Sequence, residues 1–441
     1  MSDVTGNEPT DSDDLQPTAS HEPEVWKRSA DVWRFASRLS PKRIDLYLRL
    51  RTARQIPRPF RARFAAMRIP EETVDRALGE VRGLDDWMGA WNRAAQRFLS
   101  EARREDGAGR WFEAAVARRQ AAMCYHSAHF VTDTDPRTVR ALKAAGVAAF
   151  AQAVPRLMPE TRRIAIPWRT SQLPAYIARP ADYEGPHPLV VLFNGATTTK
   201  EELLLWADPF LERGIAVITV DWPGTGEATH LALTADCDDI TDGLLEFADD
   251  QQDLDPDTVV LLGFSLGGSV AVRSAALDRR IAACIAVTPP YEPRTWIRYV
   301  NPIVRQQLMQ LARDPNWVEE LLDEFSLGEI VPKLRTPLLV FGAGRDLVVP
   351  PEESLHLSSA AGELATLVWY RRGSHGLYEH LDDWSNLAAD WIVSMFPAGE
   401  RLAGASTQVD EELPNVSPPR LEPTPPTVDA LEDFEDDEEF L

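Results

Sequence analysis

Between Val25 and about Leu157 apolar residues recur three and four positions apart, in VWRFASRL, DLYLRLRTAR, ALGEVRGLDDWMGAWNRAAQRFLSEARRE and WFEAAVARRQAAMCYHSAHF. That period predicts helices, broken at Pro57, Pro70 and Gly107. From Arg163 the pattern changes to short β-branched runs: RRIAIP, PAYIAR, PLVVLF, AVITV, TVVLLG, ACIAVT, PLLVF and ATLVWY. These predict eight strands. The first two lie close enough for a hairpin, and helix-length segments such as EELLLWADPFLERG separate later ones. The expected fold class is therefore α/β: a mostly parallel eight-stranded sheet with flanking helices, preceded by an all-helical region. The stretch from ACIAVT to PLLVF, with TWIRYV, VRQQLMQLA and WVEELLDEF, is too long for one crossover helix and predicts a lid-like insertion at about 290–330.

Charge changes this picture only at the ends. The 441-residue chain carries a formal net charge of -23, of which residues 1–24 hold -7 and residues 398–441 hold -11. The part between is nearly neutral, so the acidity says little about the fold. Residues 1–23 are too polar to bury enough apolar surface to offset the entropy of ordering, and an acidic, disordered N-terminal tail is expected there. Residues 398–441 begin Pro-rich and end in acids punctuated by Leu431, Phe434, Phe440 and Leu441. They read as a disordered tail, either solubilising or tipped with a short binding motif for a basic partner or the chain's own basic helices. The expected division is thus a helical cap domain at 24–158 and a catalytic domain at 159–397, between the two tails.

Residues 27–68 hold thirteen Lys or Arg against Asp31 and Asp45. Without an accompanying nucleic-acid motif, solvated helix faces are the simpler reading of that excess, and no nucleic-acid partner is expected. Cys124, Cys237 and Cys284 are far apart and show neither CxxC nor His spacing. That argues against a disulfide framework or structural zinc and suits a reducing compartment. The N-terminus lacks a basic start followed by an apolar stretch, and no run of eighteen apolar residues follows. A cytoplasmic protein with no membrane association is expected.

Candidate chemistry centres on TVVLLGFSLGGSVAVRSAAL, an apolar strand, then Gly263-Phe264-Ser265-Leu266-Gly267, then a small-residue helix. Strand, sharp turn and helix are what a nucleophile elbow requires, with Ser265 exposed and glycines letting strand and helix approach. A serine hydroxyl needs a base to take its proton and an acid to orient that base. Asp346, in GAGRDLVVP after the strand PLLVFG, and His375, in RRGSHGLYEH after ATLVWY, follow in the required order. His380 is the alternative base. The developing oxyanion needs donors. The Leu266 amide is one, and the other comes from NGATTTKEE, with Ala196 preferred over Thr197. DWPGTGE, at 221–227, reads as a structural strand-end turn.

With these phrases together, the sequence resembles the α/β-hydrolases, and within them the subgroup with an N-terminal helical cap that includes 2,6-dihydroxypseudo-oxynicotine hydrolase, the fungal heptaketide-shortening pigment hydrolases and the FrsA-like esterases. The resemblance spans about residues 80–396 and rests most on the helices ending MCYHSAHF together with NGATTTKEE. It implies a substrate pocket between helical region and sheet, and cleavage of an ester or of a carbon–carbon bond next to a ketone. It also implies an acidic residue handling the keto tautomer, for which Glu292 stands in a comparable region, and Tyr125 and Phe130 as pocket residues or core. The expected protein is a serine hydrolase for a bulky aryl or polyketide-like small molecule, with no metal and no cofactor, and compatible with a homodimer. Acyl transfer or elimination by the same triad, and a silent scaffold acting through the acidic tail, are the alternatives.

Overall fold

The computed structural model describes residues 58–130, 136–234, 236–297 and 324–397, together with Asp45, Val300 and residues 400–401. The tails, most of the basic stretch and the centre of the expected insertion lie outside the described residues. Among the described residues one eight-stranded sheet is formed by β1 (Thr161–Trp168), β2 (Ser171–Ala178), β3 (His187–Phe193), β4 (Ala216–Val220), β5 (Leu254–Phe264), β6 (Ala283–Val287), β7 (Leu338–Ala343) and β8 (Ala365–Tyr370). Their spatial order is β1-β2-β4-β3-β5-β6-β7-β8. β1 and β2 form a hairpin, closed between Trp168 and Ser171 by a two-residue turn. β2 pairs antiparallel with β4, and every pair from β4 to β8 is parallel.

Parallel strands covered on both faces read as continuous apolar runs, which is why each was visible in the sequence. Successive side chains still alternate between two cores. Leu189, Val191 and Phe193 of β3 join Val259 and Leu261 of β5 on one face. Val190 and Leu192 join Val260, Leu262 and Phe264 on the other. Helices α7 (Ile240–Asp249), α8 (Leu266–Leu277) and α9 (Pro351–Ala361) supply buried residues to the first face. The second face is covered by α10 (Leu381–Met395), through Trp384 and Ile392, and by the helical layer that precedes the sheet.

That layer comprises α1 (Arg58–Ala66), α2 (Glu71–Glu80), α3 (Asp86–Gly107), α4 (Trp111–Ser127) and α5 (Pro136–Leu157). The long apolar-periodic stretch from Ala77 to Glu105 is two helices, not one. Val81 adopts an extended backbone and buries its side chain, and the Arg82 amide donates to Asp86 Oδ2 at 2.9 Å, starting α3 afresh. Phe64 stacks on Trp91 with ring centroids 4.7 Å apart, and both belong to the same apolar cluster as Val190, Leu192, Phe341 and Trp384. Helical layer and sheet therefore share one core. No described helix is long and apolar enough to cross a membrane.

Candidate active site

Ser265 follows β5 and begins the turn into α8 with φ 50 and ψ -123. A positive φ at a non-glycine residue costs on the order of 1–3 kcal/mol and persists only where its surroundings enforce it. Here the Ser265 amide donates to Val287 O at 2.9 Å, and the Ser265 carbonyl accepts from the Gly268 amide at 2.8 Å. The flanking glycines are required by close approach. A β-carbon on Gly263 would stand 2.1 Å from Gly267 O, and one on Gly267 would stand 2.4 Å from Asn194 O. The helix that follows presents the Leu266 amide at its first turn, where backbone donors have no intrahelical acceptor.

Asp346, after β7, is 3% exposed. Its Oδ1 accepts from the amides of Val348 at 2.7 Å and Val349 at 2.9 Å, leaving Oδ2 to meet His375 Nδ1 at 2.7 Å. His375 lies after β8, its ring partly open to solvent. The turn that carries it is anchored at β6, where the Gly376 amide donates to Thr288 Oγ1 at 3.2 Å. Thr288 is the neighbour of Val287, so serine and histidine turns are pinned to the same end of one strand. His380 is not in this pair; its ring packs on Tyr370.

The loop after β3 runs beside the serine. A β-carbon on Gly195 would stand 3.4 Å from Ser265 Cβ, so the residue before Ala196 packs against Ser265. The loop is bonded internally: the Gly195 amide donates to Thr198 Oγ1 at 2.6 Å, and Asn194 Nδ2 donates to Thr198 O at 2.7 Å. DWPGTGE buttresses it, since Trp222 Nε1 donates to Asn194 O at 2.7 Å and Thr225 Oγ1 to Asn194 Oδ1 at 3.2 Å. Below it the fully buried Lys200, first residue of α6 (Lys200–Leu204), directs its ammonium to Asp221 at 2.8 Å, Glu201 at 2.6 Å and Glu227 at 2.6 Å. Burial disfavours the Lys200 charge, yet the three carboxylates more than offset this and hold its pKa above the ordinary value.

The helical layer reaches this loop through Arg63 of α1. Its guanidinium donates from Nη1 to Thr197 Oγ1 at 3.1 Å, from Nη2 to Thr197 O at 2.9 Å, and to Glu202 from Nε at 3.0 Å and Nη2 at 2.9 Å. His126 Nε2 meets the same Glu202 carboxylate at 2.7 Å. Burial opposes ionisation of Glu202, but Arg63 and His126 outweigh it and keep its pKa below the ordinary value. A small cavity lies where α4 and α5 meet the start of α6 and the segment at Gly226 and Glu227, lined among others by Met123, His126, His129, Lys143, Glu201 and Glu227. Burial foremost, with the electrostatic influence of His126, Lys143 and Arg63 in the same direction, holds His129 well below its ordinary pKa.

The remaining expected site residues are distributed differently. Tyr125 points into the helical layer, its hydroxyl accepting from Gln96 Nε2 at 2.6 Å, and the cavity wall there is made by Ala122, Met123 and His126. Phe130 is buried, with the Arg63 guanidinium 3.9 Å above its ring. Glu292 Oε1 accepts from the Gly328 amide at 2.9 Å, tying the segment after β6 to the chain that returns toward β7. Sequence reasoning missed Arg63, Glu202 and Thr288. The first was counted among solvated basic faces, the second was quoted only as part of NGATTTKEE, and the third ends a strand with no local cue.

A sheet of this order with a strained serine after β5 and an Asp–His pair after β7 and β8 defines a hydrolase architecture, and comparison with known proteins places it. A model described as the alpha/beta hydrolase family matches residues 190–428, and one described as esterase FrsA-like matches residues 61–294. The chain belongs to the alpha/beta hydrolase family, with the FrsA-like helical layer, and is a hydrolase. It is 26% identical over 326 residues to the 2,6-dihydropseudooxynicotine hydrolase of Paenarthrobacter nicotinovorans, spanning 72% of this chain and 86% of that one. To a 20-hydroxy-prefusarin hydrolase of Gibberella moniliformis it is 31% identical over 223 residues, 47% of this chain and 53% of that one. Among solved structures, that of 2,6-dihydroxy-pseudo-oxynicotine hydrolase superposes with a TM-score of 0.68 at 22% identity, covering 78% of this chain and 99% of that chain. This last likeness speaks for the fold.

Proposed function

We propose that the protein cleaves an ester, or a carbon–carbon bond next to a ketone, in a bulky aryl or polyketide-like small molecule, through a covalent intermediate on Ser265. The observation that carries this reading is the 2.7 Å contact of His375 Nδ1 with Asp346 Oδ2, beside a serine held at φ 50. Ser265 Oγ attacks the carbonyl carbon while His375 Nε2 takes its proton. Asp346, its other oxygen fixed by two backbone amides, holds the imidazole with Nδ1 protonated and stabilises the imidazolium that forms. The Leu266 and Ala196 amides receive the oxyanion. Collapse breaks the bond to the leaving group, an alkoxide or a carbanion stabilised by its own carbonyl, which takes the proton from His375. Water, deprotonated by His375, then releases the acid and returns Ser265.

Glu292, whose carboxylate is engaged by Gly328, is assigned to holding that loop and not to the chemical step. The substrate class is supported by the two relatives named for small-molecule substrates. The test is turnover of a panel of aryl esters and aryl β-diketones in water enriched in heavy oxygen. Hydrolysis predicts one heavy oxygen in the acid product and none with Ser265→Ala. An acyl product formed only with an added alcohol or amine acceptor would replace hydrolysis by acyl transfer.

A further inference from the structure

We propose that Arg63 is a positioning residue, by which the helical layer sets the geometry of the oxyanion loop. The inference rests on the reading of Ser265 and the Ala196 amide given above. Four hydrogen bonds leave one guanidinium. Two end on Thr197, the residue after the proposed oxyanion donor, and two end on Glu202, two residues into α6. Glu202 is fully buried and further fixed by His126, so the planar fork is held at one angle when it meets Thr197. The guanidinium lies 3.9 Å over the Phe130 ring and 5.5 Å from that of Tyr378. Tyr378 belongs to the turn that begins at His375.

One side chain from the helical layer therefore touches the oxyanion loop and the histidine turn together. An ion pair that served only to attach helix to sheet would need Glu202 alone. The bonds to Thr197 O and Oγ1 add a constraint on loop conformation, and an amide displaced by a fraction of an ångström no longer meets the oxyanion well. The sheet domain holds this loop at its two ends, Asn194 through Trp222 and Thr225 and Thr199 through the amides of Glu202 and Leu203, while among the described residues the bonds to Thr197 come from Arg63.

Steady-state hydrolysis of p-nitrophenyl acetate by the full chain tests the assignment, with Arg63→Lys, Arg63→Ala, Thr197→Val and Ser265→Ala compared and thermal unfolding followed for each. Loss of the fork predicts kcat lower by about 10- to 100-fold in both Arg63 variants, with KM within about threefold. Thr197→Val, which removes one acceptor and keeps the ion pair, shows a smaller loss in the same direction. Guanidinium ion at millimolar concentration restores part of kcat to Arg63→Ala, and sodium chloride at the same ionic strength does not. Unchanged kcat in Arg63→Lys, or a change confined to KM, overturns the inference while leaving the serine mechanism intact. If Arg63→Ala does not fold, unchanged kcat in Thr197→Val and Arg63→Lys overturns it equally. Retained turnover in Ser265→Ala would overturn both.

Discussion

Glu353, in the first turn of α9, is 2% exposed, and its Oε2 accepts the backbone amides of Tyr291 and Glu292, both at 2.7 Å. Burial is the largest influence on its carboxyl and pushes the pKa from an ordinary 4.5 to about 6, against the pull of its hydrogen bonds and with help from the nearby charge of Glu292. The folded protein thus keeps this proton to higher pH than the unfolded chain. Between about pH 4.5 and 6 stability falls as pH rises, and above that window the loss is complete. A difference of about 1.5 between the two values corresponds to about 2 kcal/mol. Glu353→Gln keeps an oxygen for the two amides but cannot ionise. Whatever offset the amide group itself brings, the stability of Glu353→Gln relative to the natural protein must therefore improve by about 2 kcal/mol on going from about pH 4 to about pH 7. Urea unfolding of both proteins across this range measures it. A difference that stays constant with pH would refute the argument that a buried, protonatable carboxyl sits at this position.

Other outcomes follow from the same structure. Asp346→Asn keeps the size of the side chain but presents the wrong partner to His375, and kcat should fall by on the order of 10⁴-fold with the fold retained, as read by circular dichroism and ester hydrolysis. Lys200→Met leaves Asp221, Glu201 and Glu227 without their shared cation in a buried site and should destabilise the protein by about 3–5 kcal/mol in denaturant titration. Gly267→Ala drives a methyl group against Asn194 O and Phe193 O. It should cost about 1–3 kcal/mol and lower activity together with stability, because the same contact sets both the Ser265 turn and the loop after β3.

The strands were legible because a parallel sheet covered on both faces writes itself as apolar runs, and the serine, aspartate and histidine because each follows such a run. NGATTTKEE was legible as a phrase but not as a mechanism. The structure engages Asn194, Thr198, Lys200, Glu201 and Glu202 of this phrase in bonds that shape one loop. Arg63 could not be found in the same way. Its partners lie more than a hundred positions away, and a guanidinium on a helix with neighbouring basic residues looks the same whether it faces water or a buried glutamate. The break between α2 and α3 was hidden because Val81 and Leu84 continue the helical period while the chain between them turns. Tyr125, read from the sequence as a pocket or core residue, shows how helix geometry separates neighbours. It sits one position from His126, which lines the cavity, and a helix carries adjacent residues to different faces.

Reaction of the purified protein with a fluorophosphonate, followed by intact mass and peptide mapping, decides whether Ser265 is an activated nucleophile. A single adduct is expected on the peptide containing Ser265, absent in Ser265→Ala and formed far more slowly in His375→Ala. An adduct on another residue, or a folded protein that hydrolyses esters while Ser265 stays unlabelled, would contradict it.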